Sequence, residues 1–215
     1  MSTHTSVGPT PKTTSKPKRR RKLHKTIEAY LQHEGVSDAE QFCQDPGSPV
    51  EMLLRIVRQW PYDESGLLGL VAKNPALPMD KLLKLTGRWP VEVSTNPVFR
   101  MRMATEPGFL ASLHYLVRRN LARGVGLEHR LLRELARARS VEKCVRRAAA
   151  SNPSAPLDML EDFCHRHAWQ VRVALASNPQ LPLSIQLRLA EDPRKEVRVA
   201  LAYRRSVDPS ALLVM

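Results

Sequence analysis

The chain has 215 residues, 42% of them hydrophobic and 26% charged, with a net charge of +13. That length can bury a substantial core, and only 5% aromatic residues alongside abundant Ala, Leu, Val and Arg favours closely packed short helices over a β-sandwich. No apolar N-terminal segment marks a secretory signal, no run reaches the roughly 18 apolar residues of a membrane span, and Cys43, Cys144 and Cys164 are too few and too far apart for a disulfide framework, so a soluble, intracellular, cytoplasmic protein is expected.

Residues 1–22 are rich in Ser, Thr, Pro, Lys and Arg, with Val7 the one large aliphatic residue. Such a segment buries too little to offset the entropy of ordering, which predicts a disordered basic arm over 1–22 and a helical domain over 23–215. Lys12, Lys16, Lys18, Arg19, Arg20, Arg21, Lys22 and Lys25 face no acid within the first 25 residues, so more than half of the charge excess lies there. A polyanionic partner follows: nucleic acid first, an anionic membrane surface second. Leu23, Ile27, Tyr30 and Leu31 then share one helical face, which Gly35 ends.

Irregular units come next. Asp45-Pro46 and Pro49 precede the stretch from Val50 to Trp60, Asn74-Pro75 and Pro78 precede Met79 to Leu85, and Asn96-Pro97 precedes Val98 to Ala104. The stretch from Val117 to Arg139 lacks the Asn-Pro mark, although Leu127 to Ala138 is amphipathic. A fixed period then sets in. Val145-Arg146, Val171-Arg172 and Val197-Arg198 lie 26 positions apart, followed in step by Ala148, Ala174 and Ala200, by Ala150, Ala176 and Ala202, and by Asn152-Pro153 and Asn178-Pro179. Within a unit, Asn178 is expected to cap a helical turn with Pro179 at its first position, Pro182 to restart a helix through Leu189, and Asp192-Pro193 to cap the next from Arg194 to about Tyr203. A recurrence of this length means units that bury their apolar faces against their neighbours. The expected fold is all-α: an α-solenoid of short paired helices in about seven units.

The pattern Val-Arg-x-Ala-x-Ala-x-Asn-Pro-x-x-Pro, clearest over 145–205 and looser over 45–104, resembles the leucine-rich repeat variant family, and Asp192 to Ala200 also looks like a HEAT-repeat helix. The resemblance implies a right-handed superhelix of alternating α and 3₁₀ helices. It implies no particular activity, because such repeats are scaffolds. Some members carry an N-terminal cysteine cluster for an iron–sulfur centre; this sequence has no such cluster, so no cofactor is expected.

Arg146, Arg172 and Arg198 occupy one repeat position and form a ladder, suited either to phosphates or to pairing with acids such as Asp192 or Asp162 that tie units together. The pairing role is favoured for the ladder. A phosphate-binding role is favoured for residues off that position: Lys18, Arg19, Arg20, Arg21 and Lys22 in the arm, and Arg118, Arg119, Arg147, Arg204 and Arg205 in the body. Cys164 and His167 have a spacing that invites a metal, but Cys164 aligns with Ala190, a small core position, and no metal site is expected. Trp60, Trp89 and Trp169 are expected to fill gaps between units more than to stack on bases. No phosphate loop or catalytic constellation stands out. The functional expectation is a non-enzymatic module binding DNA or RNA non-specifically. The alternatives are a protein-interaction scaffold for an acidic partner and a HEAT-like DNA-repair glycosylase.

Overall fold

Helices of ten residues or fewer do not persist alone in water, and every helix among the described residues is of that size. The computed structural model describes residues 36–59, 66–137, 143–204 and 211. Among these the chain is all-α, with fourteen α-helices, one 3₁₀ segment and no strand. The expected arm over 1–22 and the helical face of Leu23 to Leu31 lie outside the described residues. No helix among the described residues is long and apolar enough to cross a membrane.

In chain order the elements are α1 (Val36–Gln44), α2 (Val50–Gln59), α3 (Leu67–Lys73), α4 (Met79–Leu82) running into a 3₁₀ turn (Leu83–Gly87), α5 (Pro90–Thr95), α6 (Pro97–Thr105) and α7 (Phe109–Ser112). They continue with α8 (Tyr115–Ala122), α9 (His129–Ala136), α10 (Lys143–Ala150), α11 (Leu157–Arg166), α12 (Trp169–Ala176), α13 (Leu183–Ala190) and α14 (Lys195–Ala202). Helices α1, α3, α5, α8, α10, α12 and α14 each pack on the next in that series. The intervening helices flank this row; α11, for example, touches α10, α12 and α13. One apolar cluster runs through the row, with Val145, Leu175, Val197 and Leu201 fully enclosed.

The expected alternation of α and 3₁₀ elements is not seen. Among the described residues 3₁₀ structure is confined to Leu83–Gly87, whereas the corresponding α9, α11 and α13 are α-helical. Leu83–Gly87 ends in Thr86 and Gly87, both poor helix formers, while Leu183–Ala190 carries leucines and alanine that favour full α turns.

The Asn-Pro pairs set the register of the row. Asn178 is buried, and its Nδ2 donates to the carbonyls of Ala150 (2.9 Å) and Asn152 (2.7 Å) one unit earlier, while its Oδ1 accepts from Gln180 N (2.8 Å). Asn152 repeats this with Ala122, Gly124 and Ser154. Asn74 does so with Cys43, Asp45 and Ala76, and Asn96 with Ala72, Asn74 and Val98. Four buried amides thus tie the turns they belong to onto carbonyls at the equivalent helix end one unit earlier, where an unmatched carbonyl would cost about 1–3 kcal/mol.

These bonds correct the reading of Asn-Pro as a helix start. Only Asn96 caps an α-helix directly, with Pro97 in its first turn. At Asn74, Asn152 and Asn178 the chain instead makes a turn, closed by Leu77 N, Ala155 N and Leu181 N on the asparagine carbonyl, and the helix begins after Pro78, Pro156 and Pro182. A proline four residues after the asparagine leaves no length for a helix in between. The same turn recurs at Gly124, closed by Leu127 N. No amide side chain supports it there; Gly126 at φ +87° takes the left-handed conformation instead.

Candidate functional site

Registration by these turns aligns Gly124, Asn152, Asn178 and Arg204, whose backbone N–H groups donate to the equivalent carbonyls of Leu121, Ala149, Leu175 and Leu201. Six residues before each lie Arg118, Arg146, Arg172 and Arg198. The ladder therefore has a fourth member. Arg118, expected among the phosphate-binding residues, sits in this register and is only 7% exposed; burial pushes its pKa down, a shift that the neighbouring Cys144 partly opposes. It belongs to the packed side of α8.

The other ladder arginines reach back to the backbone ahead of their own helices: Arg146 to the Ala136 carbonyl (3.3 Å), Arg172 to that of His167 (2.7 Å) and Arg198 to that of Asp192 (2.6 Å). Arg172 also grips Asp192 of the next unit through two bonds, Nε to Oδ2 (2.5 Å) and Nη2 to Oδ1 (3.0 Å). Burial alone would raise the Asp192 carboxyl, but Arg172 and the Arg194 N–H outweigh it and hold it below the usual range. The same bonds raise Arg172 above its ordinary value.

Arg204 takes the place of the asparagine in the last register, and it too is drawn inward. Its Nη2 donates to the Pro179 carbonyl (2.8 Å) and burial lowers its pKa. Its side chain thus reaches the turn that begins at Asn178, one unit earlier. Lys18, Arg19, Arg20, Arg21, Lys22 and Arg205 fall outside the described residues.

Nine, five and one residues before each register position lie side chains on a single stripe of each helix, since i and i+4 share a face. The stripes are Tyr115, Arg119, Arg123 on α8; Lys143, Arg147, Ser151 on α10; Trp169, Val173, Ser177 on α12; and Lys195, Val199, Tyr203 on α14. Because α8, α10, α12 and α14 pack in succession, the four stripes lie side by side. None of the twelve residues is acidic, and three are aromatic in a chain with only 5% aromatics.

Part of this face is concave. A groove of about 370 Å³ is lined by Arg119, Arg123 and Arg147, with Cys144, Ala148, Ala174, Ser151, Val173 and Ser177. Arg123 and Arg147 are exposed, and Arg119 is half-buried with its Nε enclosed and without a hydrogen-bond partner. Among the described residues none of the three makes a side-chain ion pair. Other clefts differ. One holds Arg133 with Asp158, joined at 2.8 Å, beside Arg137, Arg146 and Asp162; another sets Arg100 and Arg130 against Glu128 and Glu134. Those clefts set carboxylates beside their arginines, and this one has none.

The sequence singled out Arg119 and Arg147, which line this groove, and did not single out Arg123, which lines it with them, or Lys143 and Lys195 on the same face. The register that joins them was hidden where Gly124 and Arg204 replace asparagine. Trp89 packs against Gly69, its ring about 3.1 Å from where a Cβ would stand, so it fills a gap between α3 and α5; Trp60 lies outside the described residues. His167 Nε2 meets Asp162 Oδ2 at 3.1 Å, and burial pushes the Cys164 thiol up. Among the described residues no group of three or more His, Cys, Asp or Glu is placed to hold a metal. No family model matches the chain, and no curated protein or solved structure matches it.

Proposed function

We propose that this chain is a non-enzymatic binding module, a right-handed α-solenoid of about seven units similar to the leucine-rich repeat variant type, whose arginine groove takes an acidic partner. Nucleic acid is the partner of choice, held through phosphates without strong sequence preference. The observation that carries this reading is the groove itself: three guanidiniums converge with no carboxylate among its lining residues. Like charges held together in a cleft repel one another, and an anion relieves that repulsion. Guanidinium groups also meet phosphate oxygens in pairs of hydrogen bonds. The recurrent turn and the asparagine bonds support the solenoid, since each of these bonds joins a unit to the one before it.

A protein-scaffold reading draws support from Val199 and Tyr203, exposed apolar surface at the α14 end of the same face. The glycosylase reading has no such support, because no carboxylate or other general acid lines the groove. The test is binding to DNA, RNA and heparin across a salt series, for the parent and for a variant with Arg119, Arg123 and Arg147 all changed to Gln. The variant should keep its melting temperature, and its slope of log K against log salt should fall by about 0.7–0.9 per lost phosphate contact. A variant that binds as tightly as the parent at matched salt would remove the groove from the reading.

A further inference from the structure

Resting on that reading, we infer that the face takes a single strand of nucleic acid, with phosphates at the arginines and lysines and bases stacked on the aromatic residues of the same face. Two observations carry the step. First, the charges line a groove: Arg119 is half-buried in it, and Arg123 and Arg147 are exposed along it. A protein that reads a duplex inserts a helix or ribbon into the nucleic acid's groove; here the ligand must enter the protein's groove, and one strand is thin enough to do so.

Second, aromatic and basic residues alternate along one line of the row. At the first stripe position Tyr115, Lys143, Trp169 and Lys195 follow one another on successive helices. Neighbouring packed helices are about 8–10 Å apart, so each aromatic side chain is flanked by an ammonium at a distance a flexible strand can bridge. Tyr115 is exposed, Trp169 is partly buried against the core, and Tyr203, at the far end of the α14 stripe, is 86% exposed. A phenol left that open has no packing role. A duplex hides the faces of its bases and gives these rings nothing to stack on, whereas a single strand offers every base face, which also makes the contact tolerant of sequence.

The test compares a labelled oligothymidine strand with a duplex of equal length at one salt concentration, using the full chain. The strand should bind roughly ten-fold tighter than the duplex. Tyr203→Ala, at a site too exposed to affect folding, should weaken strand binding about five-fold or more, the low end for one stacked base, and leave duplex binding unchanged. Tyr203→Phe keeps the ring and should bind the strand like the parent. Equal affinity for strand and duplex, or parent affinity in Tyr203→Ala, overturns the single-strand inference and leaves the phosphate groove standing. Polyglutamate binding as tightly as the strand at matched charge overturns the nucleic-acid reading as well.

Discussion

Arg118 and Arg119 are adjacent in the chain, yet one is enclosed within the fold and the other lines the groove. A helix turns about 100° per residue, enough to separate them completely. Read as sequence, the pair is one basic patch; only the register, with Gly124 in the asparagine position, tells them apart. The consequence for mutants is opposite in kind. Arg118→Gln should lower the melting temperature with little change in salt dependence, and Arg147→Gln should do the reverse, as thermal denaturation run beside a binding titration will report. Arg172 belongs with Arg118. Its partner Asp192 is only 4% exposed, so Arg172→Gln leaves a buried carboxylate without its cation and should cost about 3 kcal/mol in urea unfolding. The pH dependence follows from the sign of the shift. The Asp192 carboxyl is held lower in the folded chain than in the unfolded one. The pair's contribution is therefore complete at neutral pH, declines as pH falls below about 4, and is gone once pH passes below the folded value. Asp192→Asn should accordingly lose less stability than the parent between neutral and acid pH.

At the scale of the element, the turns at Asn74, Asn152 and Asn178 each depend on one amide. Asn178→Ala removes two donors from buried carbonyls and the acceptor for Gln180 N, and should cost about 2–4 kcal/mol by denaturant unfolding. Restoring the missing amide should not help: a Cβ at Gly124 would stand 3.1 Å from the Pro90 ring and from the Leu121 carbonyl, so Gly124→Asn is expected to destabilise. That crowding explains why the repeat loses its mark at this point in the sequence. Much of the helical pattern was legible in the residues. Pro182 and Asp192-Pro193 correctly bracket α13, and α14 falls where Val197 and Leu201 require it. The role of Asn178 was only half legible, because a local capping pattern shows where an oxygen points and not the carbonyls, a full unit away, that its nitrogen reaches. The groove was less legible still. Its residues converge through register across three helices, and no short motif records that convergence.

Over the whole molecule, amide bonds join the units of Asp45, Asn74 and Asn96, and again those of Gly124, Asn152 and Asn178. Between Asn96 and Gly124 the junction rests on packing of α8 against α5 and the 3₁₀ turn, without such a bond. Hydrogen exchange should therefore resolve two blocks of protection that meet near Gly124, and Asn178→Ala should lower protection mainly in the second. Charge is likewise unevenly spread, since eight basic residues precede position 26 without an acid. Deleting residues 1–22 should leave the far-ultraviolet helical signal nearly unchanged and flatten the salt dependence of polyanion binding. Unfolding on that deletion would make the segment part of the fold.

The amide bonds also have a direction. In every one the asparagine donates to carbonyls that precede it in the chain, by 24 to 31 residues in the longer bond of each pair. A chain emerging from the ribosome thus always exposes the acceptors first and the donor second. Each link can close as soon as its own turn has cleared the exit, against a partner that is already in place, and no unit has to wait for sequence not yet made.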